Sequence, residues 1–265
     1  MLGVENISFA YGREKILKSL SVEIKDGEFF GIIGPNGSGK TTLLKIITKI
    51  LNPSSGRILL DGEDVRKIPA GQYSRNISFL PSGIDVSFSY TVEEFVSMGR
   101  FPYTGRYGNL SSGDMEKVNE TLDTLGISPG AERKINELSD GEKQRVFLAQ
   151  AIVQEPRLII LDEPTSHLDI GHSYKILDII KHLNRTGMTV ISVLHDLNLA
   201  SEYCTKLLML KDGEIFSQGT PEEVLTYANI EQVYETKVLV YKNPHSGKPY
   251  VFGIPSALLT ENKSA

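Results

Sequence analysis

Cysteine occurs once in this 265-residue chain, at Cys204, so no internal disulfide can form and no cysteine-rich metal site can be built. A lone thiol on a helix acts as a small hydrophobe, and that is the role expected of Cys204. Long apolar runs are missing too. The stretch from Leu43 to Leu51 is broken by Lys45 and Lys49, well short of the roughly 18 apolar residues that a membrane-spanning helix needs. Met1–Asn6 has no basic segment leading into an apolar block, so a secretory leader is not expected and a cytosolic compartment is. Positive charge is in deficit, with 28 Lys and Arg against 33 Asp and Glu and a formal net charge of −5. A phosphate backbone has no general attraction to such a surface; nucleic acid is not an expected partner, and any anion site must be local. Repeats and low-complexity tracts are absent. At 40% hydrophobic and 23% charged residues, the composition is that of a folded globular chain, long enough for one large domain or two small ones.

What is present is a rhythm of strands and helices. Gly3–Ala10 and Ser21–Lys25 alternate apolar and polar residues around a turn at Tyr11-Gly12-Arg13, which predicts a small antiparallel sheet. Phe29–Ile33 is a continuous apolar run, as in a parallel-sheet strand covered on both faces. A helix is expected from about Gly39 to Leu51. Asn52-Pro53-Ser54-Ser55-Gly56 breaks the pattern before short strands at Arg57–Leu60 and Ile77–Leu80. From Thr91 to about Val153 the period is mainly helical, interrupted between Gly99 and Gly113, and reads as a separate helical lobe. Strands return at Arg157–Leu161 and Thr189–Leu194, alternating with helices at Ser173–Thr186 and Leu197–Tyr203. The tail predicts one helix near Pro221–Tyr234 and a hairpin of Lys237–Tyr241 with Pro249–Phe252.

Gly34-Pro35-Asn36-Gly37-Ser38-Gly39-Lys40-Thr41 matches G-x-x-x-x-G-K-[ST] between a predicted buried strand and a predicted helix, the context that motif requires. Glycines let the backbone wrap a phosphate, and the helix N-terminus adds a partial positive charge. Lys40 supplies a full charge to terminal phosphates, and the Thr41 hydroxyl suits Mg²⁺. A second strand, Arg157–Leu161, runs into Asp162-Glu163, an expensive place for two carboxylates unless a cation or a reaction compensates. In a phosphate-loop protein the first such carboxylate holds the metal. The second can act as general base toward water. Leu138-Ser139-Asp140-Gly141-Glu142-Lys143-Gln144-Arg145 precedes a helix. Ser139 and Glu142 have capping-box spacing, and a helix N-terminus is also an anion site.

This ordered set, continued by Ser166-His167-Leu168-Asp169 and His195, resembles the nucleotide-binding subunit of an ABC transporter over nearly the whole chain. The resemblance implies an α/β fold: a P-loop NTPase (RecA-like) core with an N-terminal antiparallel β subdomain and an inserted α-helical subdomain at about 84–153. A small C-terminal helix and β-hairpin at about 221–265 would complete a single domain over 1–265. It implies ATP and Mg²⁺ as ligands, with Tyr11 stacking on adenine, residues Gly34 to Thr41 with Thr42 on the phosphates, and Thr41, Asp162 and Ser82 near the metal. Glu163, His195 and Lys40 would be catalytic. Ser139 and Gly141 would contact the γ-phosphate of ATP bound to a second copy, and Asp169 would cross that interface. The implied partners are the second copy, integral membrane permease subunits and, indirectly, a substrate-binding protein, at the cytoplasmic face of the membrane.

Two segments depart from the family. Ser82 follows Leu80-Pro81 where Gln is usual, which shortens a metal contact to one that water must bridge or that is lost. Asp140 and Glu142 replace Gly and Gln, and Asp140 is expected to face solvent or a basic neighbour. Gly99-Arg100-Phe101-Pro102-Tyr103-Thr104-Gly105, Leu194-His195-Asp196-Leu197-Asn198-Leu199-Ala200 and Ile254-Pro255 are similar to importers of iron-siderophore complexes, haem and cobalamin. Neighbouring families carrying zinc, manganese or other metal chelates stay open. A P-loop kinase or GTPase is disfavoured because Asn262-Lys263 is followed by Ser264-Ala265 rather than a guanine-reading Asp. The span from Lys40 to Ser139 has no room for the long coiled coil of ABC-type repair proteins. A soluble ABC-type ATPase in cluster assembly, or an ATP-switched scaffold, is the alternative. His167 and His172, five residues apart, are expected at the surface or an interface rather than on a metal.

Overall fold

A computed structural model describes residues 1–84, 88–104, 109–255 and Ala257. In chain order the elements are β1 (Leu2–Tyr11), β2 (Glu14–Ile24), β3 (Phe29–Ile33), α1 (Lys40–Ile47), β4 (Ser55–Leu60), β5 (Glu63–Asp64), α2 (Ala70–Asn76), β6 (Ile77–Leu80), α3 (Val92–Ser97), α4 (Ser112–Thr124) and α5 (Asp140–Ile152). There follow β7 (Leu158–Asp162), α6 (Ile170–Arg185), β8 (Thr189–Val193), α7 (Leu197–Tyr203), β9 (Lys206–Lys211), β10 (Glu214–Gly219), α8 (Pro221–Val224), α9 (Tyr227–Tyr234), β11 (Val238–Lys242) and β12 (Pro249–Gly253). They form two compact units, Met1–Gly62 with Ser192–Ala265, and Glu63–Ile191.

In the first unit, β1 pairs antiparallel with both β2 and β4, the sheet that the alternation predicts. β2 begins at Glu14 rather than at the expected Ser21, because Asn6 and Ser19 take left-handed backbone and shift the register, which interrupts the period-two signal. β3 is buried at every position and lies parallel to β9, which pairs antiparallel with β10. α1 ends four residues before the expected Leu51, since Thr48 caps it and Lys49 turns left-handed. The tail holds two helices rather than one: Thr226 accepts from the backbone N–H of Asn229 and starts α9 afresh. β11 and β12 form the expected hairpin.

In the second unit, β6 and β7 run parallel from Ile77↔Leu158 to Leu80↔Leu161. Between them in sequence lie α3, α4 and α5, packed on one another and begun by side-chain caps from Thr91, Ser111 and Ser139. They are the helical lobe that the sequence predicts, apart from positions 85–87 and 105–108, which fall outside the described residues. Tail residues 256 and 258–265, including Asn262-Lys263, fall outside them as well. Cys204 is buried at the end of α7, as expected of a small hydrophobe.

Candidate active site

In the first unit the loop from Gly34 to Gly39 joins β3 to α1. Gly34 and Gly39 have φ of +145° and +99°, and a Cβ on Gly39 would meet Leu17 Cδ2 at 2.5 Å. Only glycine accepts that backbone and that approach. α1 starts on Gly39 with no side-chain cap, whereas α3 to α9 all start under a Ser, Thr or Asp side chain. The positive end of the α1 dipole is therefore left for a ligand. Ser38 Oγ is buried and has no hydrogen-bond partner, an arrangement with a free-energy cost unless a ligand reaches it. Lys40, 6% exposed, donates from Nζ to the carbonyls of Gly34 at 2.8 Å and Pro35 at 2.9 Å, which holds a positive charge inside the loop. Asn36 and Gly37 are exposed at the rim, Pro35 and Thr41 are half-buried, and Thr42 is buried. A polyphosphate fits this donor set.

Around the loop, Tyr11 ends β1 with half its surface exposed and its ring edge-on to Phe9 at 4.8 Å. Leu194 donates from its N–H to Ile32 of β3 at 3.2 Å, and this anchors the exposed His195 that follows. Tyr234, on α9, takes a hydrogen bond from the Gly34 backbone, while burial pushes its hydroxyl up to about 12. Nothing in the pattern of the tail points to Tyr234, because its relation to Gly34 is purely one of folding.

In the second unit, Asp162 ends β7 at 2% exposure, and Ser82 Oγ donates to Asp162 Oδ2 at 3.4 Å. The short serine thus lies beside the carboxylate proposed for the metal. Glu163 takes a left-handed φ of +55°, an uncommon conformation that persists where surroundings enforce it. Ser166 enforces it twice, donating from Oγ to Glu163 Oε2 at 2.9 Å and from N–H to the Glu163 carbonyl at 3.1 Å. Ser139 and Glu142 form the capping box at the start of α5. The Glu142 carboxylate is held down at about 2, chiefly by the Ser139 backbone N–H and then by its hydroxyl, with Arg133 at 3.1 Å assisting. Asp140 is exposed, as expected.

A contact absent from the sequence reading joins two of these motifs. Asp169 accepts from His172 at both N–H (2.7 Å) and Nδ1 (3.0 Å), and the His172 ring lies against Gly141. A Cβ on Gly141 would overlap that ring, with Nε2 at 2.8 Å. His172 is therefore a packing partner of the Ser139-Gly141 turn, and no cluster of three His, Cys, Asp or Glu able to hold a metal occurs among the described residues.

The segment from Gly99 to Tyr103 is also structural. A Cβ on Gly99 would meet Val153 Cγ1 at 2.5 Å and overlap the Gln150 carbonyl. Arg100 is buried, bonding Asp114 at 3.0 Å, the Val153 carbonyl at 2.9 Å and Glu155 at 2.9 Å beneath the Tyr103 ring. Tyr103 donates to the Gln154 carbonyl at 2.9 Å. These residues lock α4 to the end of α5 within the lobe.

The ABC transporter family model matches residues 17–166. The chain is 40% identical over 249 residues to the uncharacterised ABC transporter ATP-binding protein YvrA of Bacillus subtilis, covering 93% of this chain and 56% of that relative's length. It is 36% identical over 248 residues to the ferric enterobactin transport ATP-binding protein FepC of Escherichia coli, covering 93% of this chain and 92% of that one. Among solved structures it is similar to a metal-chelate type ABC transporter in an inward-facing conformation, with a TM-score of 0.85 and 28% identity over 97% of this chain and 98% of the other.

Proposed function

Because the chain belongs to the ABC transporter family and is one of its ATP-binding, ATP-hydrolysing subunits, we propose that it powers import of an iron-siderophore, haem or cobalamin cargo. In this reading two copies close on two ATP molecules at the cytoplasmic face of a membrane, docked on permease subunits that receive cargo from a binding protein. No described helix is long and apolar enough to cross a membrane, and this reading gives the membrane path to the permease subunits. The names of relatives in ferric enterobactin transport and in iron-hydroxamate, petrobactin and cobalamin import support the cargo class.

The observation that carries the reading is the phosphate loop itself: an uncapped α1, the unpartnered Ser38 hydroxyl and the inward Lys40 ammonium. Tyr11 stacks on the adenine, and Gly34 to Thr42 receive the phosphates. Glu163, braced by Ser166, takes the proton of the attacking water as the bond to the γ-phosphorus forms and the bond to the β–γ bridging oxygen breaks. Lys40 and His195, with Ser139 and Gly141 of the second copy, offset the charge that develops on the γ-phosphoryl oxygens. Mg²⁺, when bound, would be held by Thr41 and Asp162, with Ser82 acting through water, and would neutralise phosphate charge. Asp169 lies at the copy-to-copy contact.

Glu163→Gln is expected to bind ATP normally and to turn over about 10²–10⁴-fold more slowly, read as steady-state phosphate release beside nucleotide affinity. Near-normal turnover refutes the assignment of the base. Transport is tested by ATPase activity with and without a reconstituted permease across candidate chelates. Failure to co-purify with any integral membrane subunit favours a soluble scaffold instead.

A further inference from the structure

The C-terminal hairpin has no part in the mechanism above, yet it is bonded to α7 from that helix's first turn to its last. At Val251 the outer edge of β12 presents a backbone N–H and carbonyl. Both are taken by one side chain: Val251 N–H donates to Asn198 Oδ1 at 2.7 Å, and Asn198 Nδ2 donates to the Val251 carbonyl at 3.2 Å. A primary amide carries one acceptor and two donors, so Asn198 pairs with the strand edge as a neighbouring strand would, and it does so from the first turn of α7. One turn on, Ser201 Oγ donates to the Pro249 carbonyl at 2.7 Å. At the far end, Lys248 Nζ donates to the carbonyls of Ser201 at 2.9 Å and Glu202 at 2.8 Å, satisfying the groups a helix C-terminus leaves open and opposing its dipole. Glu202 in turn accepts from Asn243 and Ser246 of the hairpin turn at 2.8 and 2.6 Å.

The other end of the same helix carries His195. Asp196 caps α7 by accepting from the N–H groups of Asn198 and Leu199 at 2.8 and 3.1 Å. Asn198 is therefore tied by its backbone to the residue after His195 and by its side chain to the hairpin. We propose that the hairpin is a splint for α7 and that Asn198 is a positioning residue, holding His195 at the height from which it reaches the γ-phosphate. This inference rests on the role given to His195 above.

Removing the Asn198 amide lets the first turn of α7 move while the phosphate loop stays intact, so the loss falls on turnover rather than on nucleotide binding. Misplacing a reacting group by about an ångström can cost up to ~10²-fold; Asn198→Ala is expected to lower kcat about 10-fold and to leave KM for ATP within about 2-fold. The decisive comparison adds the substitution to His195→Ala. If Asn198 acts through His195, the double variant turns over no more slowly than His195→Ala alone. Multiplicative losses, or full kcat in Asn198→Ala beside an impaired His195→Ala, overturn the inference and leave the reading of His195 standing. Full kcat in His195→Ala sinks both. Should Asn198→Ala not fold, Asn198→Asp keeps the shape and the acceptor for Val251 N–H but sets a charged oxygen against the Val251 carbonyl in place of the donor; it is expected to lower kcat with KM for ATP little changed, and wild-type kcat counts against the proposal.

Discussion

Gly141 is hemmed in by His172, whose ring occupies the space that any larger side chain at position 141 would need. A phosphate contact therefore is not the sole reason for glycine there. Gly141→Ala is expected to cut ATPase activity at least about 10-fold through displacement of the ring and of the Asp169 it holds, and His172→Ala in that background should restore part of the loss, since contacting residues couple non-additively. Steady-state turnover of the two single variants and the double variant checks this; strictly multiplicative losses would show the two sites to be independent. The sequence signals the glycine and the two histidines but not their meeting, because a contact across 31 positions between two helix starts leaves no periodic trace. Ser82 and Asp162 are likewise brought together only by the pairing of β6 with β7. The phosphate loop is the opposite case: its chemistry is local, and every residue needed to read it is contiguous.

Buried strands and capped helices are the most legible parts of the fold. β3, β7 and β8 are buried at all five positions and so read as unbroken apolar runs. The sequence reading passes over α2, β9 and β10, although Leu207–Leu210 is apolar and Asp212-Gly213 makes the left-handed turn of a hairpin. Gly99–Gly105 is one of three segments that resemble the importers, and within it Gly99–Tyr103 also fastens the helical lobe. Arg100 is the centre of that fastening, since its removal strands the Asp114 carboxylate, whose side chain is 11% exposed. Arg100→Leu is expected to destabilise the protein by about 3–5 kcal/mol, measured by denaturant unfolding. Arg100→Lys should recover little of it, because an ammonium cannot serve three acceptors in a plane and lie flat on the Tyr103 ring. A loss below about 1 kcal/mol for Arg100→Leu would mean that the buried ion pair contributes little beyond its own desolvation.

The phosphate loop belongs to one compact unit, and Ser139, Gly141, Asp162 and Glu163 belong to the other. The account's central claim is that Ser139 and Gly141 serve the ATP held by a second copy of the chain, so nucleotide and partner must arrive together. Sedimentation of the slowly hydrolysing Glu163→Gln variant tests this most directly, run with saturating ATP and again after adding Ser139→Arg. The account predicts a dimer in the first case, and in the second a monomer that still holds ATP in its phosphate loop. A nucleotide-saturated Glu163→Gln protein that stays monomeric, or a dimer indifferent to Ser139→Arg, would contradict it.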